Sequence, residues 1–466
     1  MFIGRKNELE ELNRLYNKDS FEMAVIYGRR RVGKTYLINE FCKNKLKILY
    51  VAIEQNDKGA LENFSEKVLE ILPEAGSFID VFPNWEKAFD YIADHAKDKR
   101  IILAIDEYPY IAAGNPSISS VLQKVIDTKF LNTKLFLILC GSSMSFMENQ
   151  VLGYKSPLYG RRTAQFKIEP FDYIDSGKFF PQYSKDEQLK AYGIVGGVPQ
   201  YLSNLAKEGN LTDSIYYNYF RKDGHLFEEP SSILKQELRE PAVYNSIIKA
   251  VASGASKINE IATKTGEESK KCSKYLSTLI DLHIVKKEYP VGLESGRNGI
   301  YGLRDNMFKF WYRFVPENIT NIEADMGQII IDKKVNPQMT EYMGRIFEEI
   351  CIQYMIRRNK KLSLFIMFDK IGRWWGNNPI KKRQEEIDIL AKSGNKAIFG
   401  ECKWRNELIG INVLDSLIDK SKFFNQFEDK YYILFSRSGF TKELMNAAAH
   451  MNNVELVEIN KLFEIE

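Results

Sequence analysis

The run GRRRVGKT at residues 28–35 constrains this chain more than any other stretch. It fits G-x-x-x-x-G-K-[ST], a loop whose backbone N–H groups wrap a chain of phosphates. The pattern is meaningful only between a strand and a helix, and both are expected here. Residues 23–27, MAVIY, form a short apolar run that reads as a buried parallel strand, and Leu37, Ile38 and Phe41 are helically spaced within Lys34–Asn44. Gly28 and Gly33 let the loop turn with its N–H groups inward, and the helix N-terminus adds partial positive charge. Lys34 is expected to reach the β- and γ-phosphates of ATP, and the Thr35 hydroxyl to hold Mg²⁺.

The rest of a nucleotide-binding sheet follows in order. A second strand is expected at Lys47–Ile53, then helical stretches near 61–72 and 84–98, then a strand at Ile101–Ile105 ending in Asp106-Glu107. Asp106 at the strand tip suits Mg²⁺ binding through water, and Glu107 is placed to orient or deprotonate an attacking water. A fourth strand, Leu135–Cys140, leads into Gly141-Ser142-Ser143, where Ser142 is placed to sense the γ-phosphate. An acid pair alone carries little weight, because strands often end in charged residues at the surface. Three motifs, each at a strand end, carry much more. The alternation predicts an α/β P-loop NTPase fold with a parallel sheet, helices on both faces and the ligand at the strands' carboxyl ends.

Six segments strengthen this expectation: FIGRKNEL, GRRRVGKT, LAIDEYPY, LCGSSMSFM, SPLYGRRT and GGVPQYL. Together they resemble the archaeal-type ATPase family, which is related to the AAA+ and STAND nucleotide switches and is also common in bacteria. The resemblance covers about residues 1–235. It implies that Gly4 and Arg5 sit near the adenine and that Arg161 or Arg162 acts as a finger on the γ-phosphate. It also implies that Gly197-Val198-Pro199 is the joint of a helical lid. Three destinations stay open for Arg29, Arg30 and Arg31: phosphate, a partner, or nucleic acid.

Farther along, Ala242–Val285 has a helix–helix–helix rhythm, followed by an apparent wing at Lys286–Val291, a Gly-rich turn at 292–299 and Ile300–Leu303. This pattern resembles a winged helix, whose third helix enters the DNA major groove in many proteins. Here Lys270, Lys271 and Lys274 flank an apolar stripe of Tyr275, Leu276, Leu279, Ile280 and Ile284, while Glu267, Glu268 and Asp281 dilute the charge. The alternative role is a rigid lever on the ATPase that does not touch DNA. A net charge of +4 over 466 residues requires any nucleic-acid contact to be a local patch.

The last 126 or so residues read as a separate α/β unit with about a domain's worth of core. An amphipathic helix at 341–358 precedes strand-like segments at Leu364–Phe368, Ile371–Trp375, Glu386–Ala391 and Lys396–Lys403, then a helix at Asn412–Phe424 and a strand at Lys430–Phe435. Glu401 and Lys403 alternate onto one strand face, with Cys402 on the other. Asp388 followed by Glu401-x-Lys403 fits the PD-(D/E)xK nuclease pattern. In it, Asp388 and Glu401 would hold Mg²⁺ or Mn²⁺, Lys403 would lower the pKa of an attacking water, and Glu348 would complete the shell. The segments GRWW, EIDIL and GECKWR also resemble the PD-(D/E)xK domain attached to archaeal-type ATPases, over about 340–466. The proline of the motif's name is absent before Asp388. A nuclease fold kept only for docking stays open beside it, as does a choice for Trp374-Trp375 between base stacking and a hydrophobic seam.

The expected parts are a P-loop ATPase core at 1–165, a helical lid at 166–235, a winged helix at 236–305, a connecting segment at 306–340 and a restriction-endonuclease-like α/β domain at 341–466. The expected function is an ATP-hydrolysing switch that acts on DNA; the alternative is a regulatory or scaffolding ATPase, in which a homo-oligomer or a protein partner takes the place of a cleaved substrate. Five scattered cysteines without a CxxC pair argue against a disulfide framework or structural zinc and fit a reducing cytoplasm. No signal peptide is expected, since MFIGRKNELEEL has no apolar core. The longest apolar runs are strand-length, far below the roughly 20 residues of a membrane span.

Overall fold

Buried β-strands with no polar alternation need cover on both faces, and the N-terminal sheet has it. The computed structural model describes residues 2–76, 78–296, 298–378 and 382–464. Its strands β1 (Glu22–Tyr27), β2 (Lys47–Val51), β3 (Ile102–Asp106), β4 (Phe136–Gly141) and β5 (Ala164–Lys167) form one sheet in the order β2-β3-β4-β1-β5. Every pairing in it is parallel. Alternate residues feed two cores. Met23, Val25, Leu103, Ile105, Leu137 and Leu139 join a cluster with Phe64, Trp85 and Phe89 on one face. Ala24, Ile26, Ile102, Ala104 and Ile138 meet Leu37, Phe41 and Leu12 on the other. Helices therefore cover both faces, as the alternation predicts, and β5 is an addition that a four-residue edge segment did not announce.

The chain divides into two units. One comprises Met1–Pro170 with Val198–Gln200, the other Phe171–Gly197 with Tyr201–Glu466. In the second unit, helices at Tyr173–Gly177, Lys185–Val195 and Leu211–Tyr219 begin on side-chain caps from Asp172, Ser184 and Asn210, with Ser184 and Glu187 forming a capping box. Three helices follow, Pro241–Ala252, Ile258–Thr265 and Ser269–Asp281, then an antiparallel hairpin of β6 (Val285–Glu288) and β7 (Ile300–Leu303). The expected helix–helix–helix–hairpin order is present. Arg297 of the predicted Gly-rich turn lies outside the described residues.

The connecting segment at 306–340 is helical. Its Asn306–Phe314 helix starts on Asp305, which accepts from Phe308 N, and buries Phe308, Phe310, Trp311 and Phe314. A 25-residue helix, Asn336–Lys360, then buries Phe347, Ile350, Cys351 and Tyr354, and carries Arg357, Arg358 and Lys360 in its last turn, where they complement the dipole.

The C-terminal sheet is mixed, in the order β12-β11-β10-β9-β8, with β8 Lys370–Asn378, β9 Arg383–Ser393, β10 Lys396–Lys403, β11 Asp429–Ser436 and β12 Val454–Glu458. The strand expected at Leu364–Phe368 does not form. There the Asn359 side chain takes both backbone groups of Phe368, at 3.1 and 3.0 Å, in place of a neighbouring strand, and Phe365 stacks on Tyr431. All five cysteines are buried and none is in a disulfide. Among the described residues, no helix is long and apolar enough to cross a membrane.

Candidate functional site

The glycine-rich loop leaves β1 at Gly28, whose φ is 158°; a Cβ there would lie 2.3 Å from the Ile168 carbonyl oxygen. No side chain fits that approach, so glycine is required for packing against the chain after β5. Gly28→Ala is expected to cost about 1–3 kcal/mol, read as a lower melting temperature together with weaker nucleotide binding. Arg31 and Gly33 both take positive φ, and Gly33 opens the Lys34–Phe41 helix without a side-chain cap, leaving its N–H groups free for an anion. Lys34 is buried, and its Nζ donates to the carbonyls of Gly28 and Arg29 at 3.0 and 3.1 Å. Neutral carbonyls hold an ammonium more weakly than phosphate does, so the lysine is set to exchange them for ligand oxygens.

Strand order explains the remaining geometry. β4 lies between β1 and β3, so the residues after β4 fall between the loop and the acids of β3. Thr35 Oγ1 donates to Asp106 Oδ2 at 2.5 Å, and Asp106 Oδ1 accepts from Glu107 N at 2.9 Å. Glu107 sits in the left-handed region with φ 53°, and its Oε2 accepts from Ser142 N and Oγ at 3.1 and 2.9 Å. A hydroxyl, two carboxylates, an ammonium and a helix N-terminus thus converge at the carboxyl ends of three strands. Arg30 reaches the Tyr110 hydroxyl at 3.2 Å.

Two residues from the resemblance are engaged with groups of the protein itself. The Arg5 guanidinium donates to the carbonyls of Glu169 and Val32 at 2.5 and 3.3 Å, with Gly4 at φ 66°, tying the N-terminus to the glycine-rich loop. Arg161 makes a two-pronged pair with Asp127 at 2.8 and 2.5 Å, so a finger role requires that pair to open. Gly197 accepts from Phe171 N at 2.7 Å, and a Cβ on it would fall 1.8 Å from the Phe171 oxygen.

A second cluster lies in the C-terminal sheet. Gly372 faces Leu390 and Trp374 faces Ile387, so Arg373 alone opposes both Asp388 and Ile389. Such a bulge re-aims the side chains beside it. Carboxylate oxygens of Glu348, Glu386 and Asp388 come within 4.8 Å of one another. Asp388 also accepts from Cys402 N at 2.9 Å. Burial, helped by the charge of Glu401, pushes the Asp388 carboxyl up to about 6; burial, helped by Asp388, pushes Glu348 up to about 8. In both, exclusion of water disfavours the charged form, and a neighbouring carboxylate adds to it. Glu401 itself is matched by Lys403 at 2.6 Å and Lys420 at 3.1 Å. Trp374 packs on Phe424 and Phe423, on the core side of its strand.

Residues 2–205 match a family described as an ATPase domain predominantly from Archaea. An uncharacterized protein of Methanocaldococcus jannaschii is 33% identical over 450 residues, spanning 95% of this chain and 97% of its own length. The chain belongs to the archaeal-type ATPase family. An uncharacterized ATP-binding protein of the same organism is 53% identical over 45 residues, 10% of this chain and 76% of its own. Among solved structures, a Walker-type ATPase of Pyrococcus abyssi aligns with TM-score 0.51 and 19% identity, over 67% of this chain and 96% of its own, a likeness of fold. Residues 311–414 match a family described as archaeal and bacterial proteins of unknown function.

The first unit of this ATPase is thus its nucleotide-binding part. Lys34, Thr35, Asp106, Glu107 and Ser142 come together there as the motifs predict. In the second cluster, Asp388 gathers Glu348 and Glu386, while Glu401 faces two lysines. Glu386 lies two residues before Asp388 on one strand, so a period-two reading would have found it. Lys420, on a distant helix, carries no sequence signal.

Proposed function

We propose that this ATPase is an ATP-driven switch whose second unit acts on DNA by metal-dependent phosphodiester hydrolysis. ATP with Mg²⁺ suits the first site, because a hydroxyl, Asp106 and the loop lysine converge there at an uncapped helix N-terminus. Thr35 and Asp106 would hold the metal, and Glu107 would take the proton of the attacking water. We assign the parts of this switch as an ATPase core at 1–165, a lid at 166–235, a winged helix at 236–305, a connection at 306–340 and a nuclease-like domain at 341–466.

The observation that carries the DNA reading is the convergence of Glu348, Glu386 and Asp388 beside Glu401 and Lys403. Mg²⁺ or Mn²⁺ bound by these acids would supply Lewis-acid chemistry, and Lys403 would steady the charge on the scissile phosphate. Lys270 and Lys274 are exposed on the Ser269–Asp281 helix, as a DNA-facing helix requires. The wing is differently engaged: Val291 N donates to Arg373 O at 2.9 Å, and Lys370 pairs with Glu294 at 2.6 Å.

Cleavage of plasmid and linear DNA with Mg²⁺ or Mn²⁺, with and without ATP, tests this. The wild type is expected to cut, and Asp388→Ala to cut at least about tenfold more slowly. Equal cutting by both would sink the assignment. A second reading rests on Arg345 and Arg373, whose guanidiniums stand against Glu348 and Glu386. In that reading the domain docks a protein partner and does not cleave; absent cutting of DNA and RNA, with ATP hydrolysis intact, would favour it.

A further inference from the structure

Beside the acid cluster lies a cavity of about 400 Å³, walled by the β6–β7 hairpin and by the Asn306–Phe314 and Asn336–Lys360 helices, and reached by Arg373 of β8. Five cations line it: Lys286, Lys309, Arg313, Arg345 and Arg373. They face three carboxylates, Glu288, Glu348 and Glu349. Glu349 bridges both lysines, at 2.8 and 2.9 Å, and Lys286 also pairs with Glu288 at 2.7 Å, so among the lining residues the excess of positive charge lies with the three arginines, which face Glu348. Ile300, Tyr301, Leu303 and Ile346 add an apolar share to the same lining. A volume of this size, with apolar walls and a few convergent charges, is the form that small-molecule sites take. Cations beside an aromatic and aliphatic wall suit a ligand with a phosphate at one end and a flat ring at the other.

We propose that this cavity binds a phosphate-bearing ligand of nucleoside monophosphate size, separate from the nucleotide held by the GRRRVGKT loop. Arg345 Nη1 lies 3.2 Å from Glu348 Oε2 and 3.0 Å from Glu386 Oε1. Arg373 pairs with Glu386 and approaches Glu348 at 3.2 Å, yet its buried Nε makes no hydrogen bond. A phosphate entering the cavity would offer both guanidiniums a two-pronged partner. Glu348 and Glu386 would then lose their counter-charges and turn to a divalent cation. This last step rests on reading the acid cluster as a metal site; the binding itself does not.

Titration calorimetry on the full chain carrying Lys34→Ala, at low salt and without divalent metal, tests the binding. The probes are AMP, GMP, CMP and UMP, with adenosine and inorganic phosphate for comparison. At least one nucleotide is expected to saturate a single site, with adenosine silent. Arg313→Ala and Arg345→Ala, made singly in that background, are each expected to weaken it about tenfold, the loss of one charged phosphate contact. Among the described residues Arg313 hydrogen-bonds to the half-buried Gln338 and the exposed Glu341, so its variant should keep the fold, as an unchanged melting temperature would show. Three results would overturn the proposal: no saturable binding by any of the four nucleotides, undiminished binding in both arginine variants, or inorganic phosphate binding as tightly as the nucleotides. A chain that binds the nucleotide but never cuts DNA keeps the cavity and refutes the nuclease reading, so the two failures are distinct.

Discussion

Lys34→Ala should lower ATP affinity about a hundredfold, a loss of nearly 3 kcal/mol, while leaving the fold intact. The lysine is buried, and its ammonium touches only the carbonyls of Gly28 and Arg29 within the loop. In the wild type, binding replaces those neutral acceptors with charged phosphate oxygens, so the ammonium gains the attraction of an opposite charge in a partly water-excluded site. The alanine variant leaves the phosphates facing backbone N–H groups alone. The fold should hold because the loop's shape depends on the close approach of Gly28, the positive φ of Gly33 and the packing of Leu37, Ile38 and Phe41, to which Nζ adds two hydrogen bonds with loop carbonyls. Equilibrium binding of a fluorescent ATP analogue, beside a thermal melt, reads both quantities. Near-native affinity in the variant would overturn the assignment of this loop as the phosphate site.

Glu107→Gln should separate binding from turnover. ATP affinity is expected to change little, because Thr35, Asp106 and Lys34 are untouched, whereas hydrolysis should fall by roughly 10²–10⁴-fold, the usual worth of a positioned general base. The glutamine keeps the size and keeps an oxygen able to accept from Ser142, so the loss would be chemical, not structural. Glu107 has the setting for the role: a left-handed backbone at the end of β3 points it toward Ser142 at the end of β4, away from the Asp106 carboxylate that faces Thr35. Strain of this kind at a strand tip costs about 1–3 kcal/mol and needs surroundings that hold it in place. Release of inorganic phosphate under saturating ATP, compared with binding in the same preparation, is the measurement; unchanged turnover would remove Glu107 from the reaction.

The first site was readable because each of its parts is local. Gly28–Thr35, Asp106-Glu107 and Ser142 each follow a short apolar run, and a parallel sheet brings all strand ends of one polarity to the same edge. Nothing in these segments showed that Glu107 and Ser142 bond to each other; that follows from β4 inserting between β1 and β3. Arg161 was legible as a basic residue in SPLYGRRT, but its partner Asp127 sits on a helix 34 residues earlier in the chain. Leu364–Phe368 looked like a strand by composition, yet a single Asn359 side chain takes the backbone groups of Phe368. The segment at 306–340 was read as a connection, yet its Asn306–Phe314 stretch is an amphipathic helix that buries Phe308, Phe310, Trp311 and Phe314 and leaves Arg313 exposed.

The sequence by itself determined that this chain carries a phosphate-binding loop, a strand-borne acid pair and a later Asp388…Glu401-x-Lys403 pattern, because these depend on residue type and short spacing. Tertiary structure decided which charges meet. Glu348 from a long helix and Glu386 from β9 join Asp388, while Lys420 neutralises Glu401 and Arg345 and Arg373 stand against the acids. The physical reason is that a carboxylate's state depends on every charge within a few ångströms and on the water excluded around it. Both are set by chain segments tens to hundreds of residues apart, brought together by burying a common core.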